Sequence, residues 1–324
     1  MKQLAIVGAG FAGLAVAYHW LRSQKGSVTI FDPNGIGGGA SGISTGLLHP
    51  FPGRQALRSW RAEEGMAATG ELIEVAERAL GRAVCERSGV LRLVADGAQE
   101  RMFRERAQED RDAVWWEPAQ VVGMVPGAAP VSGLWIPGGI TVYSALYLEG
   151  LWHACKELGA RLEKTRVRSL QELNTYHHIV LATGSETLHF PECNHLPLEQ
   201  VKGQTLLCRW PHKLPCSLAA NGHITPTEDQ NLCQIGSTYE KPVFSPHPDP
   251  DMISQLLEKA ALFYPPARHF PVVEQRAAIR MAVKHNQYRP LVQPVTANAW
   301  VFTGLGSRGL LYHALLGREL AAKG

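Results

Sequence analysis

The sequence predicts an α/β protein in which a parallel-sheet unit is interrupted twice by an antiparallel-sheet unit. Three observations carry this. An apolar run, a glycine turn, a helix and a second strand follow one another at the N-terminus. The texture changes to short strands and turns after Cys85 and again after Pro197. A buried-strand pattern returns at 179–184 and near the C-terminus. The expected division is 1–84, 141–195 and 273–324 for the first unit, with 85–140 and 196–272 for the second.

The first element is Leu4-Ala5-Ile6-Val7, followed at once by Gly8-Ala9-Gly10-Phe11-Ala12-Gly13. Leu14 to Leu21 reads as a small-residue helix, and Val28-Thr29-Ile30-Phe31 as a second strand closed by Asp32. This is the Rossmann-like dinucleotide fingerprint in its full context, with the acid about twenty residues beyond the glycines. Gly8 permits the tight turn, Gly10 the close approach of a pyrophosphate, and Gly13 the packing of helix on strand. Free N–H groups at the helix start, Phe11 and Ala12 among them, suit phosphate oxygens. Asp32 suits a ribose hydroxyl. A secretory signal is the competing reading of Lys2 and the apolar run, but it explains neither the glycine spacing nor Asp32.

The 324 residues, 45% apolar and 19% charged, are enough for about two domains with a sizeable core and resemble an ordinary soluble protein. A net charge of +3 does not by itself argue for nucleic acid. No apolar run is long enough to span a bilayer. The six cysteines form no C-x-x-C pair, so reduced thiols in a cytoplasmic protein are expected, with no metal site.

The glycine-dense Asn34 to Gly46 segment, with Ala40, Ser41 and Gly42, reads as a linker or as backbone lying against a cofactor. The second fits a segment beside the fingerprint. His49 follows it and could lie near a reacting centre. Arg54 to Leu80 is predicted as one long helix, which would put Arg54, Arg58 and Arg61 on one face. That face is either solvated or an anion-facing stripe. Gly89 to Val94 alternates like a strand, Gln99 to Arg111 suggests a surface helix, and Trp115-Trp116 and Leu134 to Pro137 suggest short strands.

Val142 to Leu158 is predicted helical. Ile179 to Leu181 is a buried strand ending in Ala182-Thr183-Gly184, as expected where a sheet edge meets a cofactor. Val201 to Leu207 and Leu232 to Gly236 are predicted strands, with a turn at Asn221-Gly222. Met252 to Phe263 is a predicted helix, and Ala277 to Ala282 and Ala299 to Thr303 predicted strands. A second glycine turn, Gly304-Leu305-Gly306-Ser307-Arg308-Gly309, opens a helix from Leu310. One junction suffices for NAD. Two favour FAD, whose reduced ring carries charge that N–H groups at the second helix start, Leu310 included, would stabilise.

Taken together, the chain resembles the FAD-dependent amine oxidases of the D-amino-acid oxidase and glycine oxidase superfamily. The matching pieces are Gly8 to Gly13 with Asp32, Gly39 to Gly42, Ala182 to Gly184 and Gly304 to Gly309. A closer likeness is to the oxidase half of the tRNA 5-methylaminomethyl-2-thiouridine enzymes. It is carried by Val201 to Gln204, the run Gly222-His223-Ile224-Thr225-Pro226 leading to Ile235 to Tyr239, and Gly304 to Leu310. The resemblance implies an oxidase half without the methyltransferase half. It also implies bound FAD contacted by the residues above and by Val167, and catalytic residues Arg280, Arg308 and His49. Arg280 would pair a substrate carboxylate, although an ion-pair role is the alternative. The family's Asp-x-x-Pro-x-x-Gly segment reads Asn286 to Gln293 here, lacking the aspartate and the glycine.

The implied substrate is a glycine-like amine, free or on the wobble uridine of tRNA, with molecular oxygen as acceptor. Lys284, His285 and Arg289, with the Arg54 stripe, would suit tRNA phosphates. The competing classes are a pyridine-nucleotide dehydrogenase, expected colourless, and a non-catalytic flavoprotein or RNA-binding scaffold, whose flavin no amine would bleach.

Overall fold

The computed structural model describes residues 2–284 and 289–323, and the substituted Asn286-Gln287-Tyr288 positions and His285 lie outside them. Among the described residues the strands form three sheets. The six-stranded sheet runs Leu291–Pro294, Ala299–Thr303, His178–Leu181, Lys2–Val7, Gly26–Phe31, Arg161–Glu163. All its pairings are parallel except that of Leu291–Pro294 with Ala299–Thr303. Val7 stands opposite Phe31 on one side and Leu181 on the other. Gly8, Asp32 and Ala182 therefore leave the sheet together at its carboxyl edge, where ligands of open α/β sheets bind.

Beyond the exposed Lys2 and Gln3, the strand is apolar from Leu4 to Val7 because both sheet faces are covered there. Leu4 and Ile6 pack with the helices Phe11–Arg22, Ala62–Leu80, Ser144–Glu157 and Gly309–Lys323, whereas Ala5 and Val7 pack with Ile179, Leu181, Phe190 and Leu196. The eight-stranded sheet runs Val272–Val283, Leu198–Arg209, Leu232–Gly236, His223–Pro226, Ser217–Ala219, Val90–Leu93, Gly133–Ile136, Val114–Trp116. It is antiparallel apart from the pairing of Ser217–Ala219 with Val90–Leu93. A small third sheet joins Leu47–Leu48, Ile140–Val142 and Cys85–Glu86. No helix of the described residues is long and apolar enough to cross a membrane.

Two expectations change. The helix expected from Arg54 begins at Ala62, and Arg61 before it has φ 48°, in the left-handed region. Distant carboxylates override the local helical pattern. Arg54 pairs with Asp96, and Arg58 makes a 2.6 Å Nε bond to Asp110 with a second contact, 2.5 Å, to Asp112. Arg61 binds Glu64 and Glu319. The three arginines share no helical face, and each already holds an acid. The second change is the strand containing Arg280. It runs unbroken from Val272 to Val283 across the expected boundary at 273 and lies in the larger sheet, paired with Leu198–Arg209. An Ala282–Leu305 bridge ties it to the C-terminal glycine turn.

His313 in the last helix gives a pH prediction. Its Nδ1 lies 3.0 Å from the Gly309 carbonyl and its Nε2 2.7 Å from the Tyr147 hydroxyl. Nδ1 therefore carries the proton and Tyr147 donates to Nε2. Burial lowers its pKa to about 4, against the pull of the Gly309 and Leu310 carbonyls. The unfolded chain then binds more protons than the native one between the ordinary histidine value and about 4. This stability is complete above that window and is lost as the pH falls through it, by on the order of 3 kcal/mol. Burial shifts His19, His49 and His223 in the same direction. Urea melts across the window should show a shallower acid slope for His313→Gln than for the parent protein; equal slopes would rule the assignment out.

Candidate active site

The fingerprint turn is built by contacts that leave no room for side chains. Gly8 has φ +111°, and a Cβ there would fall 2.2 Å from the Ala182 carbonyl oxygen. A Cβ at Gly13 would lie 1.9 Å from the Gly8 carbonyl oxygen. Both glycines are spacers between strand and helix. Asp32 anchors the turn from the neighbouring strand: its Oδ2 accepts from the Ala9 N–H and its Oδ1 from the Asn34 N–H, each at 2.9 Å. The Asn34 to Gly46 loop then folds over the helix start. Gly37 N–H donates to the Ala9 carbonyl at 3.0 Å, and Phe11 N–H donates to Ser41 Oγ at 3.1 Å.

Above this turn opens a cavity of about 680 Å³. It brings together residues far apart in sequence: Gly10, Phe11 and Ala12; Ala40 and Ser41; His49; Ala182 and Gly184; Arg280; and Gly304, Gly306, Ser307, Gly309 and Leu310. Gly8, Gly13, Asp32, Gly42, Thr183 and Arg308 stand behind the lining rather than in it. Thr183 is tied through Thr187 to Thr303 by hydroxyl contacts of 3.1 Å. Val167 is buried in the core with Leu173 and Phe190, away from the lining. Arg308 caps the last helix through its backbone, its carbonyl accepting from Leu311 and Tyr312 N–H. Its guanidinium charge is felt at His49. Of the residues expected to meet phosphates, Arg289 stacks 5.3 Å from the Trp60 ring, outside the cavity.

The charged residues of the lining are Arg54, Arg92 and Arg280, and no carboxylate is among the described lining residues. Arg54 is paired with Asp96. Arg280 donates from Nη2 to the Thr238 carbonyl at 3.0 Å and stands 5.9 Å from the Tyr239 ring. Burial lowers its pKa. Among the described residues it meets no carboxylate, so its guanidinium is left for an anion from outside the chain. Gly203 on the neighbouring strand makes this pose possible, because a Cβ there would fall 2.7 Å from Arg280 Nη2. That atom is the end of a flexible side chain, so Gly203→Ala should displace the guanidinium rather than unfold the protein. A rise of about ten-fold in KM for a carboxylate ligand, with Tm nearly unchanged, is expected. An unchanged KM would count against the placement.

Two further residues carried no sequence expectation of a role. Arg92, 5% exposed, donates to the carbonyls of Phe51 and Gly53, the latter at 2.5 Å, and its guanidinium lies 4.8 Å from the Phe103 ring. Burial takes its pKa down to about 10. The only sequence signal was an arginine inside the apolar run 90–93, all four residues of which prove to be buried. His223 reaches the cavity from the strand after the Asn221-Gly222 turn, and its Nδ1 is buried without a hydrogen-bond partner. Burial, then the charges of Arg92, Arg280 and Lys259, take its pKa to about 4. His49 accepts the Phe51 N–H on Nδ1 at 3.3 Å and is held well below its usual pKa by burial, then by Arg92, His223 and Arg308. Both imidazoles are neutral near pH 7.

The donor set fits a dinucleotide. The helices starting at Phe11 and Gly309 both direct their first residues into the cavity, and neither has an acid in its first turn to compete for the N–H groups. A glycine cradle at the carboxyl edge of a parallel sheet, open to a cavity under a second sheet, defines a dinucleotide-binding α/β protein. The chain belongs to the DAO family of FAD dependent oxidoreductases, whose family model matches residues 3–323. It is similar to the bifunctional protein ThiO/ThiG of Trichormus variabilis, at 27% identity over 84% of this chain and 45% of that protein. It is also similar to the tRNA 5-methylaminomethyl-2-thiouridine biosynthesis bifunctional protein MnmC of Marinobacter nauticus, at 24% identity over 98% of this chain and 54% of that protein. The chain thus spans about half the length of these curated relatives. Glycine oxidase from Geobacillus kaustophilus shares the fold, with a TM-score of 0.87 at 21% identity, covering 100% of this chain and 95% of that one.

Proposed function

We propose that the chain is an FAD-dependent amine oxidase acting on the C–N bond of a glycine-like primary or secondary amine, with molecular oxygen as final acceptor. One observation carries the reading: Arg280 lines the cavity with its charge unmatched by any described carboxylate. A guanidinium in that state favours a planar anion, and a carboxylate satisfies it in two-point fashion. Bound FAD supplies the two-electron acceptor. The chain supplies orientation. Arg280 fixes the carboxylate, so that the adjacent carbon and its nitrogen are presented in one pose. Neutral His49 and His223 offer polar contacts without adding charge. No described lining carboxylate would hold the amine in its protonated form.

In this reading Gly10, Phe11, Ala12 and Ser41 meet the pyrophosphate and Asp32, Gly42, Ala182, Thr183 and Gly184 lie toward the ribose side. Gly304, Gly306, Ser307, Arg308, Gly309 and Leu310 lie toward the ring, with Val167 acting through packing. The division at residues 84, 140 and 195 separates cofactor from substrate functions, and the last boundary falls after the strand Val272–Val283, so that Arg280 reaches the substrate from the larger sheet.

The substrate is a free amino-acid-like amine or the carboxymethylaminomethyl group of a tRNA wobble uridine. The MnmC relatives support the tRNA substrate. The ion pairs at Arg54, Arg58 and Arg61 favour the free amine, because those charges are already matched. Anaerobic bleaching of the flavin by glycine, sarcosine and carboxymethylaminomethyl-uridine tRNA over a salt series tests both. Bleaching by glycine or sarcosine with little salt dependence supports the free amine; bleaching by the tRNA alone, weakening steeply with salt, supports the second reading. A colourless protein, or a flavin that no amine reduces, overturns the proposal.

A further inference from the structure

Arg280 can serve a substrate carboxylate only if its guanidinium is aimed before the ligand arrives, and the residue that receives its hydrogen bond is itself held in an unusually complete network. Resting on the amine-oxidase reading, we infer that Glu240, which does not line the cavity, is a positioning residue: it fixes Thr238, and through the Thr238 carbonyl the pose of Arg280.

The geometry runs outward from the guanidinium. Arg280 Nη2 donates to the Thr238 carbonyl at 3.0 Å. Thr238 is pinned to Gln204 in both directions, its N–H donating to the Gln204 carbonyl at 3.2 Å and its hydroxyl accepting the Gln204 N–H at 2.9 Å. The same hydroxyl donates to Glu240 Oε1 in a short hydrogen bond. Glu240 Oε1 also accepts from Gln204 Nε2 at 2.8 Å, and Glu240 Oε2 faces Lys202 Nζ at 3.4 Å. The Lys202 side chain is 6% exposed. Backbone bonds of 3.1 and 3.0 Å between Lys202 and Glu240 complete the frame. Gln204 Oε1 is filled by Asp249 N–H at 2.7 Å and Gln275 Nε2 at 3.1 Å, so Gln204 is held from the far side as well.

Charge state agrees with this geometry. Burial alone would raise the Glu240 carboxyl, but the bonds from Thr238 and Gln204 and the Lys202 charge hold it below the usual range. It is an anion at neutral pH, yet it sits behind Thr238 and not against Arg280. An acid in direct contact with Arg280 would compete with substrate. An acid one hydrogen bond removed orients the acceptor without neutralising the guanidinium. Half-buried networks tied at this many points rigidify what they hold, and a rigid supporting shell keeps a binding group within the narrow tolerance of a productive pose.

The test uses the flavin-loaded protein. Acetate binding is followed as a perturbation of the flavin's visible spectrum, and aerobic turnover of glycine or sarcosine, with molecular oxygen reoxidising the flavin, gives KM and kcat. Glu240→Ala is expected to raise the acetate Kd and the amine KM about ten-fold, with kcat within about three-fold. Glu240→Gln, which keeps the Oε1 acceptor, should recover most of the loss. Should Glu240→Ala fail to fold, Thr238→Val decides, since it removes the hydroxyl and keeps the carbonyl; a rise in acetate Kd of about three-fold is expected. If acetate binds the parent protein and both variants alike, or kcat falls while KM stays fixed, the positioning role is wrong and the amine-oxidase reading stands. If acetate does not perturb the parent protein and no amine reduces it, both fall together.

Discussion

Replacing Arg280 by methionine is expected to lower kcat/KM for carboxylate-bearing amines by about two to three orders of magnitude, because truncating one partner of a buried charge pair costs about 2–5 kcal/mol. The effect is large because the pair forms in a cavity with no other described uncommitted arginine fork. Arg54 is held by Asp96, and Arg92 is committed to the Phe51 and Gly53 carbonyls. Stability should move the other way. A half-buried guanidinium bonded to one carbonyl is costly in the ligand-free protein, and an apolar side chain of similar length removes that cost. Arg280→Met should therefore keep its flavin and melt at the same temperature as the parent protein or higher. Arg280→Lys should not rescue it fully, since an ammonium presents a point charge rather than a planar fork. Anaerobic bleaching rates plotted against amine concentration, with flavin absorbance as the control for folding, check this. Bleaching of Arg280→Met by glycine or sarcosine at the parent rate would remove Arg280 from the site.

How far the sequence could be read depended on whether a feature is encoded locally. The Gly8 to Asp32 unit is legible because the turn geometry itself demands the glycines. Once Val7, Phe31 and Leu181 align, the other loops must gather at the same edge. The terminal glycine turn is legible for the same reason. Residues 54–61 are not, because their conformation is decided by Asp96, Asp110 and Glu319, which no window around them contains. Arg92 was hidden by an alternation that suggested one wet face, whereas both faces of its strand are covered. Glu240 and Lys202 look like ordinary surface charges until the Thr238 to Glu240 segment is laid beside Leu198–Arg209. The strand bearing Arg280 shows the mixed case: its extent was partly legible, but its membership in the larger sheet follows from pairing with a partner about eighty residues away.

Gly8→Ala should be the most damaging single-methyl change in the cofactor cradle. Two costs coincide there. The backbone φ of +111° is one that residues with a side chain rarely adopt, and the new Cβ would meet the Ala182 carbonyl oxygen at 2.2 Å. That oxygen belongs to backbone leaving the central parallel strand His178–Leu181, so it cannot swing aside as a side chain would. Relief requires the turn to open, which would also draw Ala9 away from Asp32 and disturb the approach to the Phe11 helix. A loss of about 3 kcal/mol or more is expected from the strain and overlap together. Gly10→Ala offers a graded comparison, since its Cβ would meet Ser41 Oγ at 2.8 Å, a hydroxyl that can rotate at the expense of the Phe11 N–H bond. Gly39→Ala is the control: a Cβ there has nothing within 4 Å, and a change within about 0.5 kcal/mol is expected. Denaturant melts of the three variants, each with its retained flavin absorbance, should fall in the order Gly39→Ala, Gly10→Ala, Gly8→Ala. Flavin should be lost from Gly10→Ala before stability is, because that position faces the cavity while Gly8 stands behind it. Equal stability and flavin content in Gly8→Ala and Gly39→Ala would mean that the strand-edge turn is not what shapes the cradle.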